Sequence, residues 1–589
     1  MAHIYFTANG TAYSLPDGST TPVTITLPSA AVSAPVSPAR RPVLLRYRKR
    51  FYNVGQFETV IVADESEVEF RTAGLQAPTD TPSLADGADS GGSTGLMIAY
   101  QTFARYLTID GALVKVCESN PGPPSNTLNA AGTGRVTSNC TAASLDAHAT
   151  HTNLYISVDG EIPALAASED LATFAGTFTE NVLTAALGET LPVRIGIDGN
   201  VSLDIYARGV PPYTYYAAIF KDTTFYGGDP DHPERVYPSK LYEPESVNVT
   251  PVTVYGRTEY PWLNTTDGQP VTGLCANGDE LIVGKPCGCD VITTSGGIHS
   301  IRQLSAHYGV ISHFSMRVCG PLSALWFASQ DGVTFYFAGA FRYVMGPLKS
   351  WWRETYKANP AVFEGCYAAV NAYWGAYKLQ FTSETGTTSL PQGTHYLIGD
   401  FEAAEAGRPV WVTDFRDRLD YCQMELKVAT ANQRKALYVG SSDGYIREED
   451  VMTNADDDGD TYEKKMTITT SHRFPEGQGG DDQHANTFNG LDLYLAHPNH
   501  AATVSLYAGD DKVASEAVAP QWTKLLPATA EPSTSRQRVQ RTSERETPNS
   551  VSGKGATLQV EVTSPIGVEF RGYSLDYIPS GAQDRPYSE

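Results

Sequence analysis

Gly440-Ser-Ser442-Asp-Gly444 matches the G-x-S-x-G pattern of a hydrolase nucleophile. That chemistry needs a sharp strand-to-helix turn to expose the serine. The next residues are Tyr445-Ile-Arg-Glu-Glu-Asp, which head into an acidic loop, so the segment reads as a turn between strands. Asn454-Ala-Asp456-Asp-Asp458-Gly459-Asp460 sets carboxylates at alternate positions, as a hard cation prefers. The twelfth position of that register is Lys465, where a bidentate glutamate should close the site, so a solvated loop fits better. Cys287-Gly-Cys289 with Cys275 offers thiols, but structural zinc wants paired C-x₂₋₄-C units or nearby histidines. His148 and His151 come after Asp146 and fit a strand entering a sheet better than a metal pair. No His-Glu-x-x-His, P-loop or dinucleotide fingerprint occurs. The residues therefore nominate no catalytic, cofactor-binding or metal-binding group.

A propeller glycosidase of the sialidase kind would repeat a Ser-x-Asp-x-Gly-x-Thr-Trp turn. Ser329-Gln-Asp331-Gly332 and Ser441-Ser-Asp443-Gly444 both lack the residue between Asp and Gly. Two facing carboxylates would also be required, and no pair can be picked from 66 acids by sequence. A glycan-binding propeller could use exposed aromatics such as Trp351 and Trp352, which could equally be core.

The elements that would carry these residues are strands. The chain has 589 residues, with 52 glycines, 37 prolines and 33 tyrosines. Gly and Pro punctuate, while Tyr, Val and Thr suit pleated, half-buried surfaces. Ile4-Tyr-Phe-Thr, a turn at Asn9-Gly10, then Thr11-Ala-Tyr-Ser-Leu predict a hairpin. Residues 77–95 read as a linker, and 527–556 as a mobile loop. MIAYQTFARYL, ALVKVCE, LYISVD and VSLDIYA predict a small β-sandwich over 80–205. Within it, 162–188 is Ala-rich and leaves a short helix open.

One phrase recurs: an apolar strand, a polar tip holding glycine, a second strand. Copies begin at Tyr216, Gly273, Leu325, Leu379 and Leu437, and the N-terminal hairpin carries it too. Gly332, Gly386 and Gly444 are 54 and 58 residues apart, the length of a four-stranded blade with its loop. The fold class is thus all-β: a β-propeller with an inserted β-sandwich of Ig/fibronectin III-like type and a β-rich C-terminal region. The divisions are 1–73, N-terminal strands pairing into the last blade and closing the ring; 80–205, the insertion; 206–500, blades; 501–589, C-terminal region and tail.

Lys plus Arg is 43 against 66 Asp plus Glu, a formal charge of −23. That sign is wrong for gripping nucleic acid, whose phosphates are neutralised by cations. It suits solubility or a passage that DNA crosses without sticking. Eight scattered cysteines suit reduced thiols. The start Met1-Ala-His-Ile-Tyr-Phe-Thr shows no signal-peptide pattern, and no apolar run is long enough to span a membrane.

Val210-Pro-Pro-Tyr through Phe225-Tyr-Gly-Gly, Arg235-Val-Tyr-Pro-Ser-Lys and Pro244-Glu-Ser-Val resemble a phrase of bacteriophage virion propellers. Gly309-Val-Ile-Ser, Ala324-Leu-Trp-Phe-Ala-Ser-Gln-Asp-Gly-Val and Lys349-Ser-Trp-Trp-Arg agree with it. So do Thr94-Gly-Leu-Met-Ile-Ala-Tyr, Leu154-Tyr-Ile-Ser-Val-Asp-Gly and Phe570-Arg-Gly-Tyr-Ser-Leu-Asp-Tyr. Across most of 1–580 the chain resembles the tail nozzle family of short-tailed phages, also called tail tubular protein B. The resemblance implies a non-enzymatic virion subunit without cofactors, made in the host cytoplasm. It implies a homo-oligomeric ring, usually a hexamer, below the portal and adaptor, which conducts or gates DNA during ejection. Tail fibres are possible further partners. The alternative reading is a glycan-binding or glycosidase-type propeller.

Overall fold

The structure is a computed structural model. It describes residues 41–64, 70–86, 94–131, 136–139, 148–180, 188–190, 209–254, 257–295, 298–371, 376–387, 390–405, 411–427, 435–442 and 446–449, with further strands at 3–8, 11–16, 23–25, 193–195 and 201–203 and between 464 and 578.

A short sheet with apolar side chains on both faces cannot bury them alone and must stack on its neighbours. Val43–Tyr47, Arg50–Val54, Ile61–Asp64 and Arg71–Thr72 form an antiparallel meander, blade A. Blade B is Tyr216–Phe220, Thr223–Gly227, Arg235–Lys240 and Glu243–Val247. Blade C is Gly273–Asn277, Glu280–Gly284, Cys289–Ser295 and Ile298–Ser305. Blade D is Arg317–Cys319, Ala324–Ser329, Gly332–Phe337 and Ala340–Tyr343.

The blades stack in chain order. Tyr52, Val54 and Val62 of blade A pack with Ala217, Tyr226, Tyr237 and Val247 of blade B. Ala218, Phe220, Phe225 and Val236 of blade B pack with Leu274, Leu281, Val283 and Ile292 of blade C. Ile282, Cys289 and Val291 of blade C pack with Leu325, Phe327 and Tyr336 of blade D. Ala217 and Ala218 are neighbours on one strand yet belong to different clusters, because successive side chains point to opposite faces. Each fully buried large apolar side chain stabilises by about 1.5–3 kcal/mol, so these inter-blade faces dominate the stability of the stack.

Between blades A and B lies a sandwich. Its larger sheet runs Ala112–Glu118, Thr94–Ile109, His151–Val158, Ala164–Asp170, with Leu128–Ala131 also on the long second strand. The smaller runs Thr177–Glu180, Val136–Asn139, Ser83–Asp86. Leu84 and Phe178 of the small sheet pack on Met97, Ala99, Leu154 and Ile156 of the large one. Ala164–Asp170 and Thr177–Glu180 are strands, so the Ala-rich stretch holds no helix among its described residues.

The chain divides into two compact units, Met1–Ala368 with Glu405–Gly407, and Ala369–Ala404 with Arg408–Glu589. The boundary falls within the first strand of sheet E, which is Tyr367–Asn371, Ala376–Ser383, Gly393–Asp400 and Trp411–Arg416. Sheet F is Asp420–Lys427, Lys435–Ser441 and Ile446–Glu449. Farther on, Lys464–Arg473, Gly555–Ser564, Ala502–Ala508 and Trp522–Leu526 form one sheet. Ala485–Ala496 pairs with Ser535–Gln540, Val551–Ser552 and Glu569–Ile578 in another.

Several expectations change. The two N-terminal strands pair antiparallel, with Ala8 opposite Thr11. They join Val23–Ile25 in a sheet of their own, and among the described residues they do not pair into the last blade. Residues 527–556 are not one loop, since Ser535–Gln540 pairs with Ala485–Ala496. Lys464–Arg473 pairs with Gly555–Ser564, so strands on both sides of position 500 share a sheet and no division falls there. The recurring phrase marks a hairpin rather than a fixed blade position. At 216 and 273 it builds the first two strands of a blade, and at 325, 379 and 437 the second and third strands of a sheet. Among the described residues helix is confined to short pieces such as Lys349–Ala358 and Pro360–Glu364, where Pro360 ends the first and opens the second.

Candidate functional site

The Pro244-Glu-Ser-Val phrase lies on the last strand of blade B, and every residue of that strand is buried. Glu245 shares a face with Val247, which packs against blade A. Opposite it stand Arg50 and Arg71 of blade A. Arg50 NH1 lies 2.6 Å from Glu245 Oε1, and Arg71 NH1 lies 2.6 Å from Oε2, with all three side chains inaccessible to solvent or nearly so. Arg71 NH2 adds a bond to Oε1 at 3.0 Å, and the Gly74 amide donates to Oε2 at 3.0 Å. Gly74 has φ +86°, and a Cβ there would come within 3.1 Å of Val210 Cα and 3.2 Å of the Glu245 carbonyl oxygen. That backbone conformation suits glycine. Arg50 NH1 also donates to the Val116 carbonyl of the insertion at 3.4 Å.

Burial alone would push the Glu245 carboxyl up. Arg71, Arg50 and the hydrogen bonds that Arg71 and Gly74 make outweigh it and hold the group down at about 2. The same burial raises the Tyr52 and Tyr226 hydroxyls, so both stay neutral. A second tie, Arg105 NH2 to Asp64 Oδ2 at 2.7 Å, fastens the long strand of the insertion to blade A. Desolvated ion pairs of this kind rest on good geometry. They offer no open acid or base to a substrate. The site is a joint where blade A, blade B and the insertion meet.

The other candidate is a cleft of about 200 Å³ at the ends of blades C and D. Cys287, His307, Ser329, Gln330, Asp331 and Tyr343 line it. Asp331 supplies a carboxylate, engaged by Arg353 Nε at 2.7 Å and Tyr343 OH at 3.2 Å. The Ser329-Gln-Asp331-Gly332 tip is tied down: Ser329 Oγ donates to the Gly332 carbonyl at 2.6 Å, and Trp352 Nε1 donates to the Ser329 carbonyl at 3.0 Å. Glycoside hydrolysis by paired carboxylates needs a second acid facing the first, and among the described residues Asp331 is the one acid lining this cleft.

The sequence-nominated residues are dispersed. Gly440 and Ile446 pair across the hairpin from Lys435–Ser441 to Ile446–Glu449, so Ser442 sits at a strand-to-strand tip, not a strand-to-helix elbow. Cys289 is buried with Sγ 3.0 Å from the Tyr308 carbonyl, Cys287 is exposed, and Cys275 contacts the Ala276 carbonyl at 3.7 Å. His151 Nδ1 meets Thr150 Oγ1 at 2.9 Å, and the His148 carbonyl accepts from Arg105. Trp352 is core. The residues 454–460 lie outside those described. No three metal-ligating side chains cluster among the described residues.

Strand pattern alone does not pair Arg50 and Arg71 with Glu245. The available signal was an acid and two arginines inside strands otherwise rich in apolar residues, where burial demands a counter-charge.

No family model matches the chain, and no curated protein matches it. Among solved structures, the N-terminal domain of Nup159 is 10% identical with TM-score 0.23, covering 64% of this chain and 84% of that one. Apo AztD from Citrobacter koseri is 10% identical with TM-score 0.22, covering 59% and 89%. The exo-β-1,3-galactanase of Phanerochaete chrysosporium is 10% identical with TM-score 0.16, covering 98% and 99%. Likenesses this slight carry neither fold nor function. No helix among the described residues is long and apolar enough to cross a membrane.

Proposed function

We propose that this chain is a structural, non-enzymatic subunit of a short-tailed phage tail, forming the nozzle ring through which DNA leaves the virion. The observation that carries the structural reading is the joint at Glu245. The acid of the family-like phrase Pro244-Glu-Ser-Val is buried and engaged by Arg50 and Arg71, which is architecture rather than chemistry. The blade stack with its inserted sandwich agrees with the body plan that the resemblance implies. The charge of −23 would let a phosphate backbone slide past without being held. In this reading six copies close a ring below the portal and adaptor, and DNA passes through it without sequence-specific binding.

Negative-stain images and sedimentation of the purified chain test it. Rings of six-fold symmetry with an open centre are expected. A monomer at every concentration, or release of sugar from a glycan substrate by the purified protein, would overturn it.

A further inference from the structure

One carboxylate of the inserted sandwich joins a lysine to a buried asparagine. Lys115 and Glu118 lie three positions apart on the strand Ala112–Glu118, and a regular strand would send them to opposite faces. The register shifts between Lys115 and Cys117, and such a bulge turns both side chains to one face. Asn153 and Tyr155 reach that face from His151–Val158, since their neighbours Leu154 and Ile156 fill the core on the other side. Thr102, opposite Asn153 on the long strand that runs between the two, completes the group.

The contacts converge on Glu118, whose side chain is inaccessible to solvent. Its Oε2 lies 2.8 Å from Lys115 Nζ. Its Oε1 accepts from Asn153 Nδ2 at 2.7 Å, from Tyr155 OH at 2.8 Å and from Thr102 Oγ1 at 2.5 Å. Glu189, at the rim, also meets Lys115 and accepts from Tyr155 OH at 3.2 Å. A salt bridge accounts for Glu118 with Lys115. It does not account for Asn153. That amide is fully buried, its nitrogen rests on the same carboxylate, and its carbonyl oxygen has no hydrogen-bond partner among the described residues. A buried polar atom left unpaired is rare in a settled core and asks for a role.

We propose that Lys115 and Asn153 are a self-linking pair, joined by an intramolecular amide bond with Glu118 as the proton carrier. The Lys115 ammonium gives a proton to Glu118 Oε2, and the freed amine attacks Asn153 Cγ. Glu118 Oε1 passes the proton to Nδ2, the Cγ–Nδ2 bond breaks, and ammonia leaves. The new Nζ–Cγ link returns its surplus proton to Glu118. The ammonium and the amide begin with five N–H hydrogens; one stays on the new amide, three leave with ammonia and one remains on Glu118. No oxidant or cofactor enters. A carboxylate held between an amine and an amide, away from water, supplies the proximity and proton transfer that free side chains lack. The link ties Ala112–Glu118 to His151–Val158 across the long strand Thr94–Ile109. Ala112–Glu118 also carries the Val116 carbonyl that accepts from Arg50, so the staple anchors the strand that meets the joint. It needs no second copy and stands apart from the nozzle reading.

Intact-mass spectrometry of the purified full chain tests this, together with a tryptic map of the denatured protein. The chain should be lighter than its sequence by one ammonia, and the map should hold a branched peptide joining the Lys115 and Asn153 segments. Lys115→Arg keeps a cation for Glu118 but cannot form the bond. It and Asn153→Ala should each regain the full sequence mass and lose the branched peptide. Glu118→Gln keeps the shape and removes the proton carrier, so the freshly purified variant should lack the link as well. A wild type at its full sequence mass, with Lys115 and Asn153 in separate peptides, overturns the proposal. So does an ammonia loss that the map places at another asparagine, as a succinimide would give. Undiminished linkage in Glu118→Gln overturns the part assigned to Glu118.

Discussion

Glu245 shows how much can hang on one carboxylate. It serves two arginines from a different blade and the Gly74 amide, all away from water. Removing one partner of a buried pair leaves the other charge uncompensated, at a cost of about 3–5 kcal/mol. Glu245→Gln keeps the shape and removes the charge, so urea unfolding of the variant should show a loss of that order. The pH dependence has a definite sign. The folded carboxyl sits at about 2, below its ordinary 4.5. Its contribution is therefore complete above pH 4.5 and is lost as the pH falls toward 2. The acid limb of the stability curve between those values should be shallower in Glu245→Gln, and an unchanged limb would remove the joint from the account. Asp420 plays a similar part in the second unit, accepting from Tyr396 OH at 2.6 Å and Arg418 Nε at 2.6 Å.

At the scale of elements, His313 sits where blades B, C and D approach one another. Its ring stacks on Tyr216 of blade B at 5.1 Å, and Nδ1 accepts the Leu274 amide of blade C at 3.2 Å. Burial first, then Arg317, lowers its pKa from 6.5 to about 3. The ring is thus neutral when folded, while the unfolded chain takes up a proton below 6.5. The stability it contributes is complete above pH 6.5 and declines as the pH drops toward 3. His313→Gln should flatten that part of the curve, measured as urea midpoint against pH. Much of this scale was legible in the sequence. Asn9-Gly10 marked its hairpin, and Gly332 and Gly386 fall at or within the turns joining the second and third strands of their sheets. The polar run from 527 misled because Ser535–Gln540 has the composition of a loop and is a strand by its pairing with Ala485–Ala496. The joint at Glu245 was illegible as a joint, because strand pattern reports which face is buried and not which distant charge waits there.

For the whole molecule, two compact units on one chain should not unfold as one. Scanning calorimetry of the purified protein is expected to show more than one transition. Glu245→Gln should lower the midpoint of only one of them, since Arg50, Arg71 and Glu245 all belong to the first unit. A single transition in which calorimetric and van't Hoff enthalpies agree would mean the units unfold together.

The joint also sets a timetable. Arg50 and Glu245 are 195 residues apart, with the whole sandwich between them. Synthesis at ~5–20 residues per second puts roughly 10–40 s between their emergence from the ribosome. Through that interval blade A carries two arginines facing an apolar surface with no counter-charge and no blade B to cover it. The insertion, whose core draws on Leu84 through Phe178, can complete itself first. The nascent chain therefore acquires its late-starting domain before its first one, and blade A is the stretch a chaperone would have to hold.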